Sequence, residues 1–134
     1  MKMYEEWGQT FDDRMPIYRQ IILRFNRAFV RGDIQPGDRI PSIRELSALL
    51  RVNTNTIQRV YQEMERDGVI NSKRGTGYYF TEDTEMTSIM RKDLTSESIK
   101  RFVEEMNALG FQKKEILNEL ETFLKGDDDS ESNS

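Results

Sequence analysis

The sequence predicts a mainly α-helical fold with one small β-hairpin, a winged helix-turn-helix domain followed by a C-terminal helical appendage. Three observations carry that expectation. Apolar residues recur at helical spacing in three successive segments between residues 16 and 66. Two of those segments are short and separated by only about one turn, as in a helix-turn-helix. A β-rich, glycine-centred stretch follows them directly.

Taken in order, residues 1–13 show no period, although Trp7 and Phe11 are apolar enough to pack against something. A helix is expected from Pro16, a residue tolerated in a first turn. Ile17, Tyr18, Ile21, Ile22, Phe25, Ala28 and Phe29 would form its apolar face and Gly32 would close it. Gln35-Pro36-Gly37-Asp38 reads as a turn. Ser42 and Glu45 then form the S-x-x-E signature of a capping box, opening a short helix that buries Ile43, Leu46, Leu49 and Leu50. After Arg51-Val52, Asn53 or Thr54 can cap the next helix, whose inner face is Ile57, Val60, Tyr61 and Met64. Its outer face carries Asn55, Gln58, Arg59 and Gln62, and Asp67-Gly68 ends it. Two β-rich runs, from Val69 to Lys73 and from Tyr78 to Phe80, flank Arg74-Gly75-Thr76-Gly77 and predict a hairpin with a basic tip.

Beyond residue 81 the character changes. Met86, Ile89, Met90, Leu94, Ile99, Phe102, Val103, Met106 and Leu109 describe either one long amphipathic helix or two helices broken near Leu94-Thr95-Ser96. Gly110 stops it. A further helix would bury Phe111, Ile116, Leu117, Leu120, Phe123 and Leu124 and end at Gly126, leaving residues 127–134 as a disordered acidic tail. The expected organisation is an N-terminal extension (1–13), a winged helix-turn-helix domain (14–81), a two-helix dimerisation region (82–126) and that tail.

Composition narrows the function. The chain has 134 residues, 36% hydrophobic and 33% charged, with neither cysteine nor histidine. A Cys nucleophile, a Ser-His-Asp triad, a disulfide and a Cys/His zinc site are all excluded. No paired-carboxylate or glycine-rich phosphate motif suggests an enzyme, and no cofactor or metal is expected. No run approaches the roughly 20 apolar residues of a membrane span, and the acidic N-terminus lacks a signal core, so a cytoplasmic location is the default. Charge is uneven. Residues 14–80 hold 12 basic and 6 acidic side chains, net +6, whereas residues 1–13 carry −3 and residues 81–134 carry −7. A basic block inside an acidic chain fits a polyanion-binding module.

From Pro16 to Gly77 the sequence resembles the GntR family of bacterial transcription regulators. The resemblance rests on Pro16-Ile17-Tyr18, the stretch Gly32-Asp33-Ile34-Gln35-Pro36-Gly37-Asp38-Arg39-Ile40-Pro41-Ser42-Ile43-Arg44-Glu45-Leu46, the run from Val52 to Glu65, Gly68-Val69-Ile70, and Lys73-Arg74-Gly75-Thr76-Gly77. Asn53-Thr54-Asn55-Thr56-Ile57-Gln58-Arg59-Val60-Tyr61 and the short helical tail are similar to the YtrA-type subgroup. Two positions depart from the family pattern: Arg51 stands where glycine is usual, and Tyr78-Tyr79-Phe80 replaces a threonine-aromatic-valine ending.

The resemblance implies DNA-binding roles for Arg44, for Asn53, Thr54, Asn55 and Thr56 at the start of a recognition helix, for Gln58 one turn later, and for Arg74, Gly75 and Thr76 at the wing. The chemistry suits those positions. A recognition helix enters the major groove by its N-terminal end. The amides of Asn55 and Gln58 match the N6 and N7 edge of adenine, and Thr54 and Thr56 can bond phosphate or offer a methyl to thymine. Arg44 suits the DNA backbone, and Gly75 allows close approach while Lys73 and Arg74 meet phosphates or the minor groove. Competing readings remain for individual residues: Asn53 as a helix cap, Arg44 as a surface charge, Arg59 and Arg66 as solvated surface.

The C-terminal apolar stripe is expected to pair with a second copy through Phe102, Val103, Met106, Leu117, Leu120 and Leu124, rather than fold onto its own winged helix. The expected function is a homodimeric regulator, a repressor, that binds double-stranded DNA at an inverted-repeat operator. The alternative is a winged-helix adaptor for proteins without specific DNA binding. No residue names a small-molecule effector. The region after position 80 is too short to enclose a separate pocket of about 300–1,000 Å³, and the junction from Tyr79 to Met90 is where a ligand would be sought.

Overall fold

A computed structural model describes the backbone of residues 2–132 and the side chains of residues 3–126. The chain divides into two units, Met1–Lys92 and Asp93–Ser134. The first contains α1 (Lys2–Gly8), α2 (Ile17–Arg31), β1 (Arg39–Ile40), α3 (Ile43–Leu50), α4 (Thr54–Arg66), β2 (Ile70–Lys73), β3 (Gly77–Phe80) and the first turns of α5 (Thr84–Ala108). The rest of α5 and α6 (Lys113–Ser132) make up the second. The mostly helical architecture with a small antiparallel sheet is the one the sequence predicts.

The core of the first unit grows around Phe25 on α2. Its ring meets Trp7 edge-on at 5.0 Å between centroids, and lies 6.1 Å from Tyr61 and 6.0 Å from Phe80. Phe29 stacks on Phe80 at 4.6 Å. Ile21, Leu46, Leu50, Ile57, Val60, Met64 and Ile70 fill the space between. Ile17, expected on the apolar face of α2, is instead exposed at the first position of the helix, before the packed face begins at Gln20 and Ile21. Ile43 and Leu49 are only half-buried, so α3 inserts Leu46 and Leu50 rather than a four-residue stripe.

Helix ends follow local chemistry. Gly32 takes a left-handed φ of 95° and its N–H reaches back to the carbonyls of Ala28 and Phe29. Ser42 and Glu45 form the reciprocal capping box of α3. Arg51 ends α3 with φ 57° and ψ 46°, the left-handed conformation that glycine adopts without steric cost. The helix-turn-helix turn therefore keeps its geometry despite the missing glycine.

The sheet has order β1-β3-β2, all antiparallel. β2 and β3 are the expected hairpin. β1 adds a short third strand, with Arg39 paired to Tyr79 and Ile40 to Tyr78. Residues 1–13 also hold structure that periodicity did not show. Tyr4 and Trp7 on α1 are buried. Gln20 donates through its Nε2 to the carbonyls of Asp12 and Met15, and Arg24 donates to the carbonyls of Trp7 and Thr10 and to the Thr10 hydroxyl. The segment is thus fastened to α2 at both its helix and its loop.

α5 is one continuous helix, which resolves the alternative of a break near Leu94. Asp83 caps it, accepting from the N–H groups of Glu85 and Met86. Within the first unit, Met90 is buried and Arg91 donates to the Val30 carbonyl. Gly110, at φ 91°, ends the rise of α5 as expected. Gly126 does not end α6, whose backbone continues to Ser132. The acidic tail expected to be disordered is helical backbone over 127–132, and Asn133 and Ser134 lie outside the described residues. A glycine stops a helix when it turns left-handed; in place it costs only about 1 kcal/mol relative to alanine.

Candidate nucleic-acid interface

Arg44 sits in the first turn of α3, where the capping box fixes the helix start and leaves the arginine exposed. The turn at Arg51 then delivers the chain to Asn53, whose Oδ1 accepts the Asn55 N–H at 2.8 Å and caps α4. Asn53, Thr54, Asn55 and Gln58 are exposed, while Thr56 is half-buried. The opposite face of α4 is sealed by Ile57, Val60, Tyr61 and Met64, as the spacing predicted. The orientation of α4 is further fixed by the Tyr61 hydroxyl, which donates to the Pro41 carbonyl at 2.5 Å in the interior. Burial first of all, with the neighbouring Tyr4, Tyr78 and Glu45 adding to it, raises the Tyr61 pKa far above the ordinary phenol value and keeps the donor protonated.

These contacts sort the polar residues by what remains free. Oδ1 of Asn53 is engaged by the cap, so that side chain is held in place and turns its NH2 to a ligand most freely. The side chains of Asn55 and Gln58 make no hydrogen bond among the described residues, so each keeps both donor and acceptor for a paired contact. Arg59 is not loose surface. Its guanidinium lies 3.7 Å from the Tyr18 ring centroid and 3.4 Å from Glu63, which holds it against α2. Arg66 is paired with Asp67 at the far end of the helix.

The wing is built on α4. Glu65 accepts from both the N–H and the hydroxyl of Ser72, at 3.1 and 2.6 Å, and so ties β2 to the helix. Tyr78 packs edge-on against Tyr61 at 4.8 Å, tying β3 to it as well. Lys73, Arg74, Gly75 and Thr76 are all exposed at the hairpin end. Thr76 donates its hydroxyl and its N–H to the Lys73 carbonyl, closing the turn. Gly75 has φ 79° with no atom within 4 Å of where a side chain would begin, so its surface is open to an approaching backbone. The Lys73 ammonium stands 4.6 Å from the Tyr79 ring centroid. Arg44, Lys73 and Arg74 form no ion pair among the described residues.

Sequence reasoning singled out these positions but not their supports. Glu65 holds the wing and Tyr18 holds Arg59, and neither contact has a local signal in the sequence. The other predicted site residues belong to the second unit. Phe102, Val103 and Met106 on α5 are half-buried, and Leu117, Leu120 and Leu124 on α6 are exposed. Of the residues expected to be buried along α6, only Ile116 is covered within the chain.

With this geometry in view, the pattern described as "Bacterial regulatory proteins, gntR family" matches residues 17–80, the span from α2 to β3. "Uncharacterized HTH-type transcriptional regulator YhcF" of Bacillus subtilis (strain 168) is 40% identical over 116 residues, covering 87% of this chain and 96% of that protein. "HTH-type transcriptional repressor YtrA" of the same organism is 32% identical over 115 residues, covering 83% and 88%. Among solved structures, a GntR family transcriptional regulator from Listeria monocytogenes superposes with a TM-score of 0.77 at 38% identity, covering 84% of this chain and 98% of that one. These relatives are transcriptional regulators and not enzymes. No helix among the described residues is long and apolar enough to cross a membrane. The exposed head of α4, the wing fastened behind it and the near full-length agreement with these regulators lead to one conclusion: the chain belongs to the gntR family of bacterial regulatory proteins, in its YtrA-type branch, as a helix-turn-helix transcriptional regulator.

Proposed function

We propose that the protein is a cytoplasmic, homodimeric repressor that binds an inverted-repeat DNA operator. The observation carrying this reading is the exposed first turn of α4. There the free amides of Asn55 and Gln58 stand beside the hydroxyl of Thr54, with the unpaired cations of Arg44, Lys73 and Arg74 carried by elements packed on the same helix. Asn55 and Gln58 read adenine edges in the major groove. Asn53 contacts phosphate, and Thr54 and Thr56 contact phosphate or thymine methyls. Arg44 grips the backbone, and Lys73, Arg74, Gly75 and Thr76 follow the adjacent groove. Repression is supported by the name of the YtrA relative.

The dimer is supported by exposure. Of nine exposed large apolar side chains among the described residues, six (Ile99, Leu109, Leu117, Leu120, Phe123 and Leu124) lie in Asp93–Ser134. Such a concentration in one unit is what an association surface requires. Phe102, Val103, Met106, Leu117, Leu120 and Leu124 form the contact, and two identical readers then select half-sites about one duplex turn apart.

A gel shift of the protein on the DNA upstream of its own gene, at rising salt, tests the reading. Specific retention that weakens steeply with salt supports it. Gln58→Ala is expected to lose about 1–3 kcal/mol of discrimination at one base pair per half-site. Equal affinity for the upstream region and for random duplex at every salt concentration would sink it.

A further inference from the structure

The outer face of the sheet carries a cation that the wing described above does not include. Arg39 pairs with Tyr79 across β1 and β3, and Lys73 pairs with Gly77 across β2 and β3. Side chains alternate along a strand, so Arg39, Tyr79, Asn71 and Lys73 share one face. The opposite face, with Ile40, Ile70 and Phe80, is buried against the helices. Arg39 is exposed and its guanidinium leans along β3 to Gly77. A Cβ on that glycine would stand 3.1 Å from Nε and 3.5 Å from Nη2 of Arg39. Gly77 has φ +126°, a conformation that L side chains rarely adopt, and its bare backbone is what lets the guanidinium lie there.

The result is a pair of cations, Arg39 and Lys73, carried by the two strands that flank Gly77 at the root of the hairpin tip. Lys73 is directed over the Tyr79 ring. Arg39 makes neither an ion pair nor a hydrogen bond among the described residues. Two cations on one exposed face, neither in an ion pair among the described residues, complement an anion. β1 leads directly into Pro41, whose carbonyl accepts from the Tyr61 hydroxyl of α4, so the strand that carries Arg39 is tied to the same helix as the wing.

We infer that Arg39 is a further phosphate-binding residue, which extends the wing footprint by one contact to the duplex backbone beside that of Lys73. The inference rests on the reading that the wing meets DNA. It assigns Arg39 to positioning on the backbone and not to base readout. A planar guanidinium held against a strand presents its outer N–H groups in the fork that suits phosphate oxygens.

The test is the salt dependence of duplex binding by the full chain and three variants. Each phosphate contact contributes a slope of about 0.9 in log affinity against log salt. Arg39→Gln should flatten the slope by about 0.9 per protomer and weaken binding about eightfold per protomer at 0.1 M salt. The loss should be equal on the upstream DNA and on random duplex. Arg39→Lys keeps the charge and should restore the slope. Arg66→Gln, which removes an arginine already paired with Asp67, should change neither quantity. Arg39 is exposed and unpaired, so the thermal midpoint of Arg39→Gln should match that of the parent. An unchanged slope in Arg39→Gln, beside a parent that binds DNA, overturns the assignment. A loss confined to the upstream sequence also overturns it, by making Arg39 a base reader. A parent that shows no salt-dependent binding removes the DNA-binding reading itself, and this inference with it.

Discussion

Replacing Tyr61 by phenylalanine isolates a buried hydrogen bond that links α4 to the residue just before the α3 cap. The ring is 1% exposed and packs on Phe25 and Tyr78, and Tyr61→Phe leaves those contacts in place. What is lost is the donor to the Pro41 carbonyl, which is itself buried. An acceptor left unpaired in the interior costs about 1–3 kcal/mol. The same hydroxyl also makes stability depend on pH, with a definite sign. The phenol titrates at 10.0 when exposed, and burial raises that value in the folded protein. Its stabilisation is therefore complete below pH 10 and declines above it, because only the unfolded chain releases the proton. At pH 11 the loss from this one group is about 1.4 kcal/mol. Urea unfolding followed by circular dichroism should place Tyr61→Phe about 2 kcal/mol below the parent at pH 7. The gap should narrow by about 1.4 kcal/mol at pH 11, since the variant has no such proton to lose. Tyr4, pushed up to about 12 chiefly by burial with Asp38 adding to it, declines equally in both proteins and cancels in the comparison. A variant as stable as the parent at pH 7, or a gap that stays constant between the two pH values, would refute the reasoning.

Four further outcomes follow from other parts of the molecule. Arg51→Gly should raise stability by about 0.5–1 kcal/mol, since a left-handed non-glycine residue costs roughly 1–2 kcal/mol and glycine returns part of that in chain entropy; a lowered urea midpoint would count against the strain at φ 57°. Trp7→Ala should cost about 3–5 kcal/mol, measured by thermal unfolding, because Trp7 is buried against Tyr4 and Phe25; a change below about 1 kcal/mol would mean that α1 is not part of the core. Asn53→Ala should lose about 1 kcal/mol with the cap, whereas Asn53→Ser should keep most of it; equal melting of the two variants contradicts the role given to Oδ1. Leu117→Asp combined with Leu120→Asp should convert the protein to monomers in analytical ultracentrifugation, and a dimer that survives would place the contact elsewhere.

The parts of the fold that sequence alone made legible are those whose signals are local. Ser42 and Glu45 stand three residues apart and cap α3 whatever surrounds them. Ile57, Val60, Tyr61 and Met64 lie within two turns of one helix, so periodicity alone predicts their burial. The hairpin was visible because its glycines supply left-handed backbone beside β-rich runs. The unread parts depend on distant partners. α1 spans barely two turns, too few to display a period, and forms its contacts through Tyr4 and Trp7 against Phe25, roughly twenty residues on. β1 has two residues between Pro36 and Pro41, and exists because Tyr78 and Tyr79 offer a strand edge. Gly126 carried a stop signal that only its φ could decide. Within the candidate site, the exposed residues could be named but not apportioned, because hydrogen-bond partners such as Glu65 for Ser72 are a matter of geometry.

That apportioning bears on how such a surface can be stable before any ligand arrives. A helix start rich in Asn and Thr serves two ends with one chemistry, since the groups that cap backbone N–H donors are also those that bond bases and phosphates. The structure separates the tasks by residue. Asn53 gives its Oδ1 to the Asn55 N–H, so that donor at the start of α4 is satisfied without help from DNA. Asn55 and Gln58 are thereby released to keep complete amides outward. The cations divide in the same manner: Arg24 and Arg59 are held by carbonyls and rings that brace the fold, whereas Arg44, Arg39 and Arg74 have no such partners among the described residues. An arginine already held by Trp7 or Tyr18 would lose those contacts on turning to a phosphate; an unheld one loses only water and side-chain freedom. The residues left unpaired in the free protein are accordingly the ones whose removal should weaken binding without weakening the fold, and the braced ones should do the reverse.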